Sequence, residues 1–466
     1  MQYIKSFILV AISVLNSSLA YAETYYVSPT GSASWSQCAQ AAGGISTPCN
    51  GRTAVENAVA GDLVYFLGGT YNPAANPIQS WANTSNANKW EVLPWNPSNS
   101  GTTTAPITFK AYPGQTPVFL DNIYSGALGA VGRDNIIWDG FSGTIVDAPG
   151  EVIVFAYFRD TNNCIIRNSN FTGILKGTHN NSALISLLNN SNILIENNRL
   201  HGMNMDPNGT EEANNSTAIL SYNSRNMIVR NNDIWDNYFG IFDKDIEQNN
   251  SYYRNHIWGG NSTSTACRVG IQIHEQEVYF GASSNTQAYQ NVIRDCRIGA
   301  QIMDNTSLRN NGTKIFNNVI FNSLSSDETG IFINTESYDA EVYNNIIDGY
   351  DIPMRYFAPM STRVAYSDNN LFFNGASMRW WTGFSSSYSS LDSWQTASTF
   401  DTHSLQINPE YIGTAGSTNP YDYRLSPTSP AIGMGRDGVN IGAYPSSTSL
   451  GIGYNPVRPK SPLLHP

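Results

Sequence analysis

Asn291-Val292-Ile293, Asn318-Val319-Ile320 and Asn345-Ile346-Ile347 are copies of one short pattern, an asparagine followed by two apolar residues, and they recur at intervals of 27 residues. Looser copies occur on either side: Asn198-Arg199-Leu200, Asn232-Asp233-Ile234, Asn255-His256-Ile257 and Asn370-Leu371-Phe372. A repeat of this length indicates structural units stacked along an axis.

Each repeat contains three short β-rich runs that are separated by Asn, Gly, Ser and Asp. In one repeat these runs are Ala218–Tyr222, Met227–Arg230 and Asp233–Trp235. Three strands per repeat that wind round one axis predict an all-β chain folded as a parallel β-helix. The repeating asparagines should then lie in register at one turn and form a hydrogen-bonded ladder.

We predict four parts in the chain. Residues 1–22 read as a signal peptide, because Lys5 precedes a short apolar core and Ala20-Tyr21-Ala22 forms an A-x-A cleavage site. Residues 23–105 form an N-terminal cap with the first strands, and a short helix is expected at Thr53–Ala60. Residues 106–375 form the β-helix coils, and residues 376–466 form C-terminal loops and a cap. The mature chain is expected to be secreted or periplasmic.

Composition restricts the partners. The net charge of −11 argues against general nucleic-acid binding, although a local basic row could still hold an acidic polysaccharide. The apolar run near the start is too short to span a bilayer, so no membrane span is expected, and we expect a monomer. Cys38 with Cys49, and Cys267 with Cys296, are placed either for disulfides or as buried thiols, and Cys164 is the odd cysteine.

The two ends of the mature chain carry further motifs. Tyr25-Tyr26-Val27-Ser28-Pro29-Thr30-Gly31 opens it, and Leu425-Ser426-Pro427-Thr428-Ser429-Pro430-Ala431-Ile432 stands near its end. With the repeat between them, these motifs resemble secreted pectate-lyase-like proteins. The resemblance implies a right-handed parallel β-helix with a short N-terminal capping helix, but it implies little about the reaction.

The repeat also aligns successive coils. The first strands of five coils share a small residue: Ala218, Gly240, Gly270, Gly299 and Gly330. The residue after each small one is apolar or alanine and should face inward, so alternation along the strand places the fourth residue after each small one on the outer face. This outward row reads Tyr222, Lys244, His274, Met303 and Asn334.

Lys244 is the predicted general base of this row. Removing the proton beside a uronate carboxylate needs a neutral base and a group that offsets the carboxylate charge. Arg268, on the next coil and with the same parity, is the predicted second catalytic residue, as charge neutraliser or proton donor. Tyr222, Gln272, His274 and Glu275 are predicted to bind the substrate. Lys244 and Arg268 could instead be surface residues in ordinary ion pairs.

The order Lys244, Asn255, Arg268-Val269-Gly270 resembles the alginate lyase and chondroitinase B type of polysaccharide lyase. That resemblance implies a lysine base and an arginine partner. The type has two calcium-binding glutamates upstream of the lysine, where this chain has Asn237 and Phe239, so a calcium requirement stays open. If calcium binds, the predicted oxygen ligands are Asp233, Asp236, Asp245 and Glu275.

We therefore predict a polysaccharide lyase that cleaves a uronic-acid-containing glycan by β-elimination. Two alternatives remain. A glycoside hydrolase would need paired carboxylates, for which Asp243, Asp245, Glu275 and Asp304 lie in the right region, with Asp243 expected to face inward. A non-catalytic polysaccharide-binding or adhesin solenoid would need no reacting residue.

Overall fold

The structure is a computed structural model, and it describes fifteen segments of the chain, with the backbone alone at residues 275 and 304. These segments are residues 22–72, 95–120, 126–145, 153–173, 181–203, 216–244, 249–259, 267–275, 285–304, 312–323, 328–334, 339–356, 364–375, 378–382 and 386–444. The predicted signal peptide, residues 1–22, lies outside these segments except for its last residue. No helix in these segments is long and apolar enough to cross a membrane.

Three parallel sheets run the length of the described chain. The first sheet contains Thr24–Val27, Leu63–Phe66, Ile107–Ala111, Ile136–Asp139, Ile165–Arg167, Leu194–Glu196, Ile228–Arg230, Ser251–Tyr253, Gln287–Tyr289, Lys314–Phe316, Ala340–Tyr343 and Val364–Asp368. The second sheet contains Gly69–Tyr71, Pro117–Leu120, Ser142–Thr144, Asn170–Thr172, Arg199–His201, Asp233–Trp235, His256–Trp258, Val292–Arg294, Val319–Phe321, Ile346–Asp348, Leu371–Phe373 and Leu405–Gln406. The third sheet contains Leu128–Val131, Val154–Arg159, Ala183–Leu188, Thr217–Tyr222, Phe239–Lys244, Val269–Glu275, Ile298–Asp304, Thr329–Ile333, Ile352–Tyr356, Trp380–Thr382 and, antiparallel at its end, Ser386–Tyr388. One strand of each sheet makes one coil, which confirms the predicted parallel β-helix.

The asparagine ladder lies at the turn between the first and second sheets and is buried. Asn291 shows the pattern: its backbone N–H and its Nδ2 both donate to Oδ1 of Asn318, at 3.0 Å each. The same pair of bonds links every neighbouring step from Asn198 to Asn370. The ladder therefore satisfies backbone groups that a buried turn would otherwise leave without partners.

The glycines used for the alignment allow two sheets to pack closely. A Cβ on Gly270 would lie 2.5 Å from Cγ2 of Ile293, and one on Gly240 would lie 2.6 Å from Cγ2 of Ile257. These contacts are too short for any larger residue. The glycine column of the third sheet thus faces the isoleucine column of the second sheet inside the coil.

Both ends of the β-helix are covered. The N-terminal helix is Gly51–Asn57, slightly earlier than predicted, and Asn50 caps it by accepting a bond from the Thr53 N–H. At the other end, Trp380–Thr382 continues the third sheet, where the sequence suggested an appended loop. A second helix, Leu391–Ser398, follows with a Ser390 capping box that the sequence analysis overlooked. Short 3₁₀ turns occupy Gln40–Ala42, Gly44–Ser46, Pro420–Tyr423 and Arg436–Gly438.

Both predicted cysteine pairs form disulfides. Cys38 and Cys49 are bonded with a Cα–Cα distance of 5.4 Å, and Cys267 and Cys296 with a distance of 4.6 Å. The second bond joins adjacent coils at the start of two third-sheet strands. Cys164 is buried and free, and burial raises the pKa of its thiol to about 11.

A carboxyl group is buried where the C-terminal segment covers the second sheet. Asp348, on the outer face of the second sheet, is 2% exposed and lies beside Tyr411 of the covering segment. Burial raises the pKa of Asp348 to about 7, while the neighbouring Tyr411 hydroxyl acts in the opposite direction. A raised carboxyl pKa means that this group's stabilisation is present below its unfolded pKa, about 4, and is lost as the pH rises towards 7.

We expect Asp348→Asn to gain stability over the unaltered protein as the pH increases from about 5 to about 8, by an amount on the order of a few kcal/mol. The measurement is the thermal unfolding midpoint of both proteins across that range. Asp392→Asn, an exposed change in the second helix, is the control. A difference between Asp348→Asn and the unaltered protein that does not vary with pH would contradict this prediction.

Candidate functional site

The predicted outward row exists in the third sheet. Tyr222 pairs with Lys244, Lys244 with His274, and His274 with Met303 as Cα partners on adjacent parallel strands. Asn334 follows on the next strand, where its N–H donates to the Ile302 carbonyl. The register inferred from the repeat is therefore correct across these coils.

Lys244 is packed tightly although it lies on the outer face. Lys244 is only 4% exposed. Its Nζ donates to Oδ1 of Asn181 at 2.8 Å and to Oη of Tyr222 at 3.1 Å. Oη of Tyr222 in turn donates to the same Asn181 oxygen at 2.8 Å. The Lys244 amine also lies 4.6 Å from the ring centroid of Phe242. An amine and a phenol are thus held together by one amide oxygen.

His274 and Gln272 lie beside the lysine on the next strand. The His274 ring stacks on Phe242, with centroids 5.9 Å apart and planes 8° apart. Gln272 is the Cα partner of Phe242. Both His274 and Gln272 are 5% exposed, so their side chains lie against the outer surface of the third sheet. Glu275 ends this strand, and its side chain lies outside the described part of the structure.

Arg268 stands directly before the strand Val269–Glu275, which brings His274 beside Lys244. From Arg268 to His274, the Cα partner of Lys244, the chain advances six residue steps. At a rise of about 3.3 Å per residue, this places the two backbones roughly 20 Å apart along the strand. Nη1 of Arg268 donates to Oη of Tyr238 at 2.6 Å. The backbones of the two predicted catalytic residues thus lie well apart along the strands, and the catalytic role of Arg268 stays a prediction.

Asp243, a residue considered for a hydrolase, faces inward as predicted. It is fully buried, and its Oδ2 accepts hydrogen bonds from Nδ2 of Asn250, at 2.9 Å, and from Oη of Tyr252. A carboxylate enclosed in the core cannot reach a polysaccharide on the outer face. Asp245 and the side chains of Glu275 and Asp304 lie outside the described residues.

The residues proposed for calcium do not form one cluster among the described side chains. Asp233 lies on the second sheet, where its Oδ1 interacts with Nδ1 of His256 and accepts from Nε1 of Trp258, both at 3.1 Å. Burial opposes its ionisation, but the bond with His256 keeps the pKa of Asp233 below its ordinary value. Asp236 lies in the turn that follows. No group of three or more His, Cys, Asp or Glu side chains in the described segments is arranged to hold a metal ion.

The outer face of the third sheet differs in charge from the other two. In the strands from Thr217–Tyr222 to Ile352–Tyr356, the outward columns carry Lys244 and Arg355 but no carboxylate. One column contains Leu220, Phe242, Gln272, Gln301, Phe332 and Arg355. The other contains Tyr222, Lys244, His274 and Met303.

The other two outer faces do carry carboxylates. On the first sheet, Asp139 and Glu196 pair with arginines, and on the second sheet Asp233 lies among aromatic rings. Within an acidic protein, the third sheet is therefore the face suited to an anionic ligand.

Sequence reasoning missed two residues of this site. Phe242 lies two residues after the aligned Gly240, in a second outward column, so the same alignment of coils would have identified it. Asn181 carries no periodic signal, because it belongs to the connection between the second and third sheets. Only the folded coil brings its side chain to Lys244, 63 residues away.

Comparisons with known proteins agree with this fold. A family model described as a right handed beta helix region matches residues 154–347. Pectate lyase PEL9 of Emericella nidulans is 27% identical over 234 residues, which are 46% of this chain and 47% of that protein. The match thus spans about half the length of this curated relative.

Two solved structures extend the likeness beyond the family model. Pectate lyase Pel9A matches with a TM-score of 0.55 and 16% identity, over 91% of this chain and 97% of that one. A rhamnogalacturonan lyase matches with a TM-score of 0.51 and 16% identity, over 69% of this chain and 87% of that one. At such identities the likeness is one of fold. The chain thus has the all-β, right-handed parallel β-helix fold.

Proposed function

We propose that this protein is a polysaccharide lyase that cleaves a uronate-containing glycan by β-elimination, with Lys244 as the base. The observation that carries the proposal is the contact between the Lys244 amine and the Tyr222 hydroxyl, on an outer face whose aligned columns hold cations and amides. The pectate lyase relative and the two lyase structures support the same class of reaction. Export is part of the proposal and rests on the signal-like first residues.

The Lys244–Tyr222 pair can accept the proton that an elimination removes and supply the proton that the departing oxygen needs. The neutral Lys244 amine takes the proton from the carbon beside the uronate carboxylate, and the bond from the neighbouring carbon to the glycosidic oxygen breaks. The Tyr222 hydroxyl gives its proton to the departing oxygen. The phenolate then recovers a proton from the Lys244 ammonium across their 3.1 Å hydrogen bond.

The remaining predicted residues have binding roles in this proposal. Gln272 and His274 lie next to the base and offer groups that can bond with sugar hydroxyls or a carboxylate. Arg268, at the other end of the strand, binds a carboxylate of another part of the glycan and does not neutralise the reacting unit. Glu275 stays a predicted substrate-binding residue.

The test is incubation of the purified protein with pectate, alginate, rhamnogalacturonan and chondroitin sulfate. We expect one of them to give products with the ultraviolet absorbance of an unsaturated uronate. New reducing ends without that absorbance would indicate a hydrolase and overturn the proposal. Tight binding without any cleavage would instead favour the polysaccharide-binding or adhesin alternative.

A further inference from the structure

Arg355 is held between two aromatic rings at the far end of the face that carries Lys244. Its Cα partners are Phe332 on one neighbouring strand and Trp381 on the other. Its guanidinium carbon lies 5.4 Å from each of the two ring centroids. Such cation–π contacts fix the orientation of a planar guanidinium.

An unbroken column of outward residues connects Arg355 with the proposed catalytic centre. Phe242, beneath the Lys244 amine, is followed by Gln272, Gln301, Phe332 and Arg355 as successive Cα partners. Four strand spacings of about 4.8 Å place Arg355 roughly 19 Å from Lys244 along the axis. Only an extended ligand can contact both residues.

The groups along this column suit an acidic sugar chain. Gln272 and Gln301 are 5% and 4% exposed, and their amides can both donate to and accept from hydroxyls. Arg355 presents a planar donor pair that matches a carboxylate, and the Trp381 ring offers an apolar surface beside it.

A second arginine of the chain, also held beside two aromatic rings, offers a matched control for Arg355. Arg436 lies 5.0 Å and 4.5 Å from the rings of Tyr343 and Tyr366, on the outer face of the first sheet. Its Nη1 donates to Oε2 of Glu341 at 2.9 Å, so a carboxylate already neutralises it. The bond with Glu341 outweighs burial and raises the pKa of Arg436.

We propose that Arg355 and Trp381 form a distal subsite that binds a carboxylate-bearing unit of the glycan whose other part lies at Lys244. The subsite rests on the proposed function for its substrate class, but its binding role can be measured without catalysis. It would make affinity depend on chain length and on free carboxylates.

The experiment measures binding of long pectate and alginate oligomers to Lys244→Ala, and then to the same protein with Arg355→Gln, Arg355→Lys or Arg436→Gln added. Fully methyl-esterified pectate is the uncharged probe. We expect Arg355→Gln to weaken binding of at least one polyuronate about tenfold or more, since it removes hydrogen bonds to a charged group. Arg355→Lys should restore part of the affinity, and Arg436→Gln should have no effect.

Kinetics with intact Lys244 provide the second readout. Arg355→Gln should raise KM for the polymer that the protein cleaves and leave kcat unchanged, whereas a damaged fold would lower kcat and the thermal unfolding midpoint. Two results would overturn the subsite. In the first, the protein binds both polyuronates equally well with and without Arg355→Gln. In the second, the parent protein binds neither polyuronate. Binding that depends on Arg355 without any unsaturated product would retain the subsite and refute the lyase.

Discussion

Lys244→Ala is expected to lower kcat for the elimination by about 10²- to 10⁴-fold, the contribution of a positioned general base. Lys244→Arg should be as inactive, because a guanidinium does not lose its proton in a protein and cannot accept one. Tyr222→Phe keeps the ring beside the amine but removes the proposed proton donor, so it should reduce kcat without a comparable change in KM. The measurement is the initial rate of unsaturated product formation.

The matched control is Lys314→Ala, which removes a lysine of the first sheet that pairs with Glu341 at 2.6 Å. It should leave the rate unchanged. Because the base must be neutral, the rate in the unaltered protein should rise as the pH increases towards the alkaline side. A rate that survives Lys244→Ala, in a variant whose circular dichroism spectrum matches the parent, would exclude the mechanism.

The repeat was enough to predict the coil, the register and the adjacency of Cys267 and Cys296, because stacking converts a sequence interval into spatial adjacency. Asn291 and Asn318 are adjacent for this reason, as are Cys267 and Cys296. The same alignment stopped at Gly330, since the next strand has Pro353 where the small residue would stand. Arg355 lies on that strand, which is why the sequence analysis did not reach it.

The distance of Arg268 from Lys244 could not be derived from the repeat, for a different reason. Parity along a strand gives no distance between two side chains along it. Arg268 and Lys244 occupy adjacent coils, yet six residue steps of extended chain lie between their backbone positions. Asn181 illustrates the converse, because a residue without any repeat position contacts the proposed base directly. Connections between sheets carry no period, so their contribution to a site appears only in the folded structure.

Asn291→Ala is expected to be among the most destabilising single changes in the coil, although it removes few atoms. The Asn291 side chain accepts from the Asn255 backbone N–H at 3.0 Å and donates to the Tyr252 carbonyl at 2.9 Å. Asn291 is fully buried, so no solvent replaces these partners. Leaving two buried backbone groups unsatisfied should cost on the order of 3 kcal/mol of the free energy of unfolding.

The control for Asn291→Ala is Asn57→Ala, in the exposed last turn of the N-terminal helix, where the side chain bonds only within its own turn among the contacts of the described residues. That change should alter the free energy of unfolding by only a few tenths of a kcal/mol. Denaturant unfolding followed by circular dichroism measures both. Equal effects of the two substitutions would mean that the ladder is a consequence of stacking rather than one of its causes. A large difference would show that the asparagines hold adjacent coils together, and with them the strand register that places Lys244 beside Tyr222 and His274.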